Sequence, residues 1–312
     1  MLFRGSSAAS LVFFTLVAIQ VASSTSCLAR RRLITRKGGQ ATQTLLTANK
    51  DMLIREVARQ YAAIDTLNAT VDMVPAIGTA NKGKITEYKD VRAYVLFRKP
   101  AFIRIIGLYP VVRNKAFDMV SDGLRFRLYI PGRNRFIEGP NQLERPSENK
   151  LENLRPDHFL EALFVSPVDS TKEKTILENF TDEDNAAYIV SVVTDDGGQP
   201  LLKRQLWFDR LKLQLVRQLI FDTAGDILTD ARYNDWQRYD GVPFPKNVEI
   251  NRPKDEYGAV LTVVKADLNK ALTDAQFTLE QPAGTQLHTV GKASPAPPPA
   301  SAPAPKKGNT KR

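Results

Sequence analysis

Residues 124–130 read Leu-Arg-Phe-Arg-Leu-Tyr-Ile, with Ser121-Asp122-Gly123 before them and Pro131-Gly132 after. Leu124, Phe126, Leu128 and Ile130 alternate with Arg125, Arg127 and Tyr129. A period of two puts successive side chains on opposite faces, so the stretch is a strand with one apolar and one polar face, closed at each end by a turn. The same grammar continues in both directions. Strands are expected at about 69–77, 83–98, 101–109, 112–120 and 134–138, with turns at Lys82-Gly83 and Lys99-Pro100. Further strands are expected at about 173–180, 186–194, 202–209, 213–222, 227–238, 245–251 and 257–267, with turns at 195–198, 223–226 and 239–245.

Two segments follow a different period. From Leu45 to Leu67 apolar residues recur mainly every three or four positions with no Pro or Gly between them, which predicts an amphipathic helix of about six turns. Pro156 to Phe164 predicts a shorter helix, with Pro156 and Asp157 in its first turn and Pro167 beyond its end. The roughly 11 to 13 strands are joined as hairpins, without the strand-helix alternation of a parallel sheet. The reading is a mainly β fold with some α, a single antiparallel sheet domain over residues 41–290.

Both faces of 102–109 and of 213–221 are largely apolar. Two helices are too few to cover a flat sheet of this width. A strongly curved sheet, its concave apolar side lidded by helices, accommodates the pattern, and its interior is either a dry core or an apolar cavity.

The chain has 312 residues and a formal charge of +10, from 44 Lys and Arg against 34 Asp and Glu. Residues 1–37 hold six of the cations and 291–312 hold five, with no acid in either, so residues 38–291 sum to −1. A near-neutral body lacks the global field of a nucleic-acid-binding domain, and no nucleic-acid partner is expected.

The N-terminus explains part of that charge. Arg4 precedes an uncharged, mostly apolar run, Leu11–Ala22, which is too short to span a bilayer and reads as the core of a signal peptide over residues 1–26. Small residues Ser23 to Ser26 lead to Cys27, the only cysteine of the chain, which excludes an internal disulfide. The segment resembles a bacterial lipobox, which implies that Cys27 is the lipid-anchor residue and, with Leu28 after it, that the anchor lies in the outer membrane facing the periplasm. Ordinary secretory cleavage near 22–26, with a passive Cys27 and a soluble periplasmic product, is the alternative. Residues 27–40, with five cations, read as a basic tether. The Pro/Ala/Lys-rich residues 291–312 read as a disordered tail.

The order of motifs in the body carries a further resemblance. Residues 52–73 (MLIREVARQYAAIDTLNATVDM), 99–139, with a Lys-Pro, an Arg-bearing strand and an Asp-Gly turn, and 206–250, with paired strands and a Pro-containing turn, are together similar to the bacterial outer-membrane lipoprotein carrier and localisation (LolA/LolB-like) superfamily. The resemblance implies an incomplete antiparallel barrel of about eleven strands around helices, with an apolar cavity that takes lipid acyl chains or lipoproteins, and a possible partner carrier protein. The apolar residues matched to such a lining are Phe97, Phe102, Ile106, Phe117, Met119, Phe126, Leu128, Leu163, Phe164, Leu206, Phe208 and Leu215. Arginines that bond a helical lid in the family have Arg92, Arg98 and Arg104 as candidate counterparts, and Phe164-Val165-Ser166-Pro167-Val168 reads as an apolar lip. The family's exposed membrane-inserting leucine has no counterpart that the sequence identifies. A regulatory sensor of the same fold that binds a protein partner is the alternative, although such sensors usually carry a second C-terminal domain.

Catalytic patterns are missing. The two histidines, His158 on the expected short helix and His288 near the tail, form no nucleophile-base or metal-ligand spacing, and no Walker or dinucleotide fingerprint occurs. Asp182-Glu183-Asp184 and Asp195-Asp196-Gly197-Gly198 read as solvated turns. No enzyme, metal or cofactor is expected.

Overall fold

The computed structural model describes residues 44–79, 83–142, 153–182 and 185–291. The signal peptide, Cys27, the tether, the tail from residue 292 onward, and Glu183 and Asp184 lie outside the described residues. The chain divides into two compact units, one of residues 1–43 with 182–185 and one of residues 44–181 with 186–312. In the first, Asn185 N donates to Asp182 Oδ1 at 2.6 Å and closes a turn. All that follows concerns the second.

Helix α1 (Lys50–Ala62) is shorter than the sequence period suggests. Asn49 sets its start, the side chain accepting from Met52 N at 2.9 Å. Leu45 and Leu46 lie outside the helix instead, with Leu46 N bonded to Arg210 O. At the other end Asp65 N donates to Asn269 Oδ1, and the chain enters a strand at Thr66. Leu53 and Val57, four residues apart, are the buried face. Helix α2 (Pro156–Leu163) has the expected bounds but for its last residue and buries Phe159, Ala162 and Leu163.

Among the described residues fifteen strands form one sheet, against the eleven implied by resemblance. They are β1 (Thr66–Thr79), β2 (Lys84–Glu87), β3 (Val91–Arg98), β4 (Phe102–Leu108), β5 (Lys115–Ser121), β6 (Arg125–Ile130), β7 (Arg135–Pro140), β8 (Glu173–Thr181), β9 (Ala186–Asp196), β10 (Gln199–Asp209), β11 (Leu215–Phe221), β12 (Ile227–Tyr239), β13 (Val242–Arg252), β14 (Tyr257–Leu268) and β15 (Gln286–Thr289). The order is β15-β7-β6-β5-β4-β3-β1-β14-β13-β12-β11-β10-β9-β8, with β2 on β1. Two antiparallel meanders, one on each side of α2 in the chain, are joined where β1 pairs with β14. Only β15 is parallel to its neighbour, β7.

Curvature follows from what α2 touches. It contacts β4 and β5 on one side and β12 and β13 on the other, although β5 and β12 are six places apart in the order. On a flat sheet that separation is ~29 Å at ~4.8 Å per strand, wider than a helix of ~10–12 Å. The sheet therefore wraps around α2, and it stays open because its end strands, β15 and β8, do not pair with each other.

Register puts one apolar row across the concave face. Ala69, Val95, Ile105, Met119, Leu128 and Ile137 oppose one another in turn through β1, β3, β4, β5, β6 and β7, each at most 1% exposed. The alternate positions build a second, smaller core on the outer face. There Val120 and Phe136 pack against Phe277 and Leu279 of the segment after β14, with Leu96, Phe102 and Tyr129. The short 3-10 turn Asp274–Phe277 is fixed by a reciprocal Thr273–Gln276 cap. This strap is why residues 102–109 are apolar on both faces: each face has a cover.

Candidate functional site

A cavity of about 560 Å³ opens at one end of the concave face. Its walls are Met73, Pro75, Ala76 and Ile77 of β1, Val91 of β3, Ala116, Phe117 and Met119 of β5, Tyr257, Gly258 and Ala259 of β14, and Leu154 and Phe159. Met73, Met119, Phe159 and Ala259 are buried at the floor, while Tyr88, Lys89, Tyr109 and Arg133 are exposed at the rim. The space has a sequence origin: on the inward face of β14 the small Ala259 precedes the larger Leu261 and Val263. Gly107 sets one wall, because a Cβ there would meet the Phe117 ring at 2.3 Å. No Asp or Glu lines the cavity. Size and lining match the ~300–1,000 Å³ apolar sites that bury small molecules.

Between α1, α2 and β11–β13 a cleft of only about 30 Å³ remains, lined by Leu163, Phe164, Leu215, Tyr233 and Phe244 among others. A groove of about 430 Å³ beside α1 carries Glu56, Arg59, Lys212 and Arg238 and is too polar to resemble the cavity.

Of the twelve apolar residues expected to line a cavity, Phe117 and Met119 do so. Phe97, Phe126, Leu128, Leu163, Phe164, Leu206, Phe208 and Leu215 pack in the closed core next to it. Phe102 and Ile106 have the opposite strand parity from the buried Ile103 and Ile105 and face outward. Phe102 packs on Phe277, with ring centroids 5.8 Å apart.

Arg92, Arg98 and Arg104 do not bond a lid, for the same reason of parity. Arg92 pairs with Asp72 at 2.7 Å on the surface. Arg98 donates to Leu272 O and Arg104 to Gln276 O, and Arg127 donates to Leu279 O, so three arginines hold the outer strap. Arg104 also clamps the fully buried Asp118 through two bonds of 2.8–2.9 Å. Burial works to raise the Asp118 pKa, but Arg104 and Lys115 outweigh it and hold the carboxyl below its ordinary value.

Other residues secure α2 and its exit. Arg204 donates to Ser166 O at 2.7 Å and Pro167 O at 2.9 Å, and Tyr233 Oη donates to Ala162 O at 2.8 Å. Phe164 is buried and stacks on Phe97 at 3.8 Å. The segment 164–168 is thus pinned rather than a free lip. His158, on that short helix, is enclosed: Nε2 accepts from Arg252 Nη2 at 3.0 Å and Nδ1 bonds Tyr257 Oη. Burial, then the charges of Arg252 and Arg155, push its pKa well below the ordinary value, which fits a neutral ring accepting from arginine. Arg252 also donates to Asp255 and Thr229, each at 2.7 Å. Tyr257 is shared between this network and the cavity wall.

At the rim, the β4–β5 turn exposes Tyr109, Val111 and Val112, the last two at 91% and 65%. The pair directly follows Tyr109 and Pro110, which line the cavity. Among the described residues no group of His, Cys, Asp and Glu is placed to hold a metal ion.

No family model matches this chain. No curated protein matches it. Among solved structures it is similar to a LolA superfamily protein from Nitrosomonas europaea, at 15% identity over 75% of this chain and 99% of that one, TM-score 0.47. It is also similar to a DUF1329 family protein from Desulfovibrio piger, at 14% identity over 74% and 98%, TM-score 0.49. A third is a putative outer membrane lipoprotein-sorting protein domain from Vibrio parahaemolyticus, at 12% identity over 73% and 97%, TM-score 0.47.

Proposed function

We propose that this protein is a non-enzymatic binder of lipid acyl chains, free or as part of lipoproteins, and that it assists their transfer at the outer membrane. The observation that carries the reading is the apolar cavity of about 560 Å³ at the open end of the curved sheet. Each methylene moved from water into such a site contributes ~0.8 kcal/mol, so a chain that cannot cross an aqueous space alone is held there. On this reading residues 1–26 direct export, acylated Cys27 anchors the protein, residues 27–40 lie along the headgroups and residues 291–312 are a solvated tail. Among the described residues no helix is long and apolar enough to cross a membrane. Native mass spectrometry of the full chain purified from envelopes reads both points. A bound lipid and a mature N-terminus at diacylated Cys27 are expected; a protein that carries no lipid and binds no added fluorescent fatty acid ends the proposal.

The exposed Val111-Val112 turn supports delivery at a membrane surface. Full removal from water of a valine side chain contributes about 1.5 kcal/mol or more, so Val111→Glu with Val112→Glu is expected to slow transfer of a fluorescent fatty acid from the full chain to vesicles about tenfold. Affinity for the fatty acid itself stays unchanged. Unchanged transfer would remove the turn from the delivery step.

A further inference from the structure

The cavity's rim has a charge that its apolar walls do not need. Of its lining residues only Lys89 and Arg133 are charged, both cationic and both exposed, and they come from different places in the chain, the β2–β3 link and the turn before β7. Several surface cations of this protein are neutralised: Arg92 by Asp72, Lys115 by Asp118, Lys203 by Glu173, Lys254 by Asp222 and Asp226. Lys89 and Arg133 have no ion pair or side-chain hydrogen bond with any described residue. The exposed phenols Tyr88 and Tyr109 stand on the same rim. An uncharged amphiphile has no use for two unpaired cations at the mouth, whereas an anionic headgroup entering behind its acyl chain meets both, with no lining carboxylate to repel it.

We infer that the cavity selects anionic amphiphiles, its walls taking the acyl chain and Lys89 and Arg133 holding the carboxylate or phosphate at the rim. The inference rests on the acyl-chain reading of the cavity and adds the headgroup class to it. Because the cations are exposed, each contributes modestly and is screened by salt, so a preference of about tenfold over an uncharged amphiphile of equal chain length is expected, shrinking as ionic strength rises. Guanidinium at one contact favours two-point bonding of the anion.

The test is a titration of the delipidated full chain with palmitate, with lysophosphatidylglycerol and with uncharged monopalmitoylglycerol, for wild type and for Lys89→Ala with Arg133→Ala. Wild type is expected to bind both anions about tenfold tighter than the uncharged probe. The double variant is expected to bind all three alike, with its affinity for monopalmitoylglycerol unchanged. Palmitate favoured without lysophosphatidylglycerol, or the reverse, identifies the headgroup as carboxylate or phosphate and supports the inference. Equal affinities in wild type, or an anion preference that survives in the double variant, overturns it while leaving the cavity reading intact. Failure of every probe, the uncharged one included, overturns both.

Discussion

The double substitution Ile77→Trp and Val91→Trp is expected to lower acyl-chain affinity about a hundredfold in a protein that still folds. Both residues line the cavity, on β1 and β3, share strand parity with the buried Met73 and Ala93, and are partly accessible, so an indole at either position grows toward the cavity rather than into the packed core. Overpacking of a closed interior, which costs about 1–3 kcal/mol, is thereby avoided. If the two rings displace three or four methylenes of the bound chain, the loss is about 3 kcal/mol at ~0.8 kcal/mol each, or roughly two powers of ten. Titration of the full chain with a fluorescent fatty acid measures the change, and thermal unfolding checks the fold. Ile106→Ala is the control: Ile106 faces away from the cavity, and its loss should leave affinity within twofold. Equal losses from both would place the chain elsewhere than in this cavity.

The second large effect concerns stability. Arg252→Met is expected to destabilise the protein by about 3–5 kcal/mol, the usual cost of leaving a buried charge without its partner. The arginine holds Asp255, Thr229 and His158 at once, and its side chain and that of Asp255 are 8% and 11% exposed. With a few degrees lost per kcal/mol in a domain of this size, the midpoint of thermal unfolding should fall by about 10 °C. Adding Asp255→Leu should recover part of the loss, because the stranded carboxylate is then gone. Arg92→Met is the comparison; its exposed pair with Asp72 is expected to contribute under 1 kcal/mol. A similar small shift for Arg252→Met would mean that the network around α2 holds nothing in place.

Strand parity made much of this fold readable and also located the errors. Alternation found β6 directly, and hairpin turns found its neighbours, because each strand buries one face. The helix pattern ran too far at both ends: Leu45, Leu46 and Leu67 fit a helical period, but Asn49 caps the helix and Leu67 belongs to the ladder opposite Phe97 and Leu268. β15 has four residues and no alternation to show, since it only covers the edge of β7. Phe102 and Ile106 were not separable from Ile103 and Ile105, because the outer face is apolar under the strap.

A different signal in the sequence does point to the residues that fix α2. Arg204 shares parity with Leu206 and Phe208, and Arg252 with Val248 and Ile250. A charged residue on an apolar face must find partners inside, and here the partners are the carbonyls and the histidine of the α2 segment. The cavity itself has no such signal. It depends on Ala259 of β14 arriving opposite Pro75 of β1, at the end of the sheet where Phe117 of β5 also lies, and only the register of widely separated strands brings them there.

The junction of the two meanders has a consequence for how the chain reaches this state. β1 meets β3 soon after it is made, but the other edge of β1 waits for β14, the last long strand, so Leu67 finds Leu268 only when nearly the whole body exists. Contacts this distant in sequence form slowly, because the loop they close is long. Until they form, the edge that β14 will cover is an unpaired ladder of peptide groups flanked by the apolar concave row, the kind of surface on which incomplete chains aggregate. The strand that brings Tyr257, Gly258 and Ala259 to the cavity is therefore also the one whose late arrival ends the protein's most vulnerable interval.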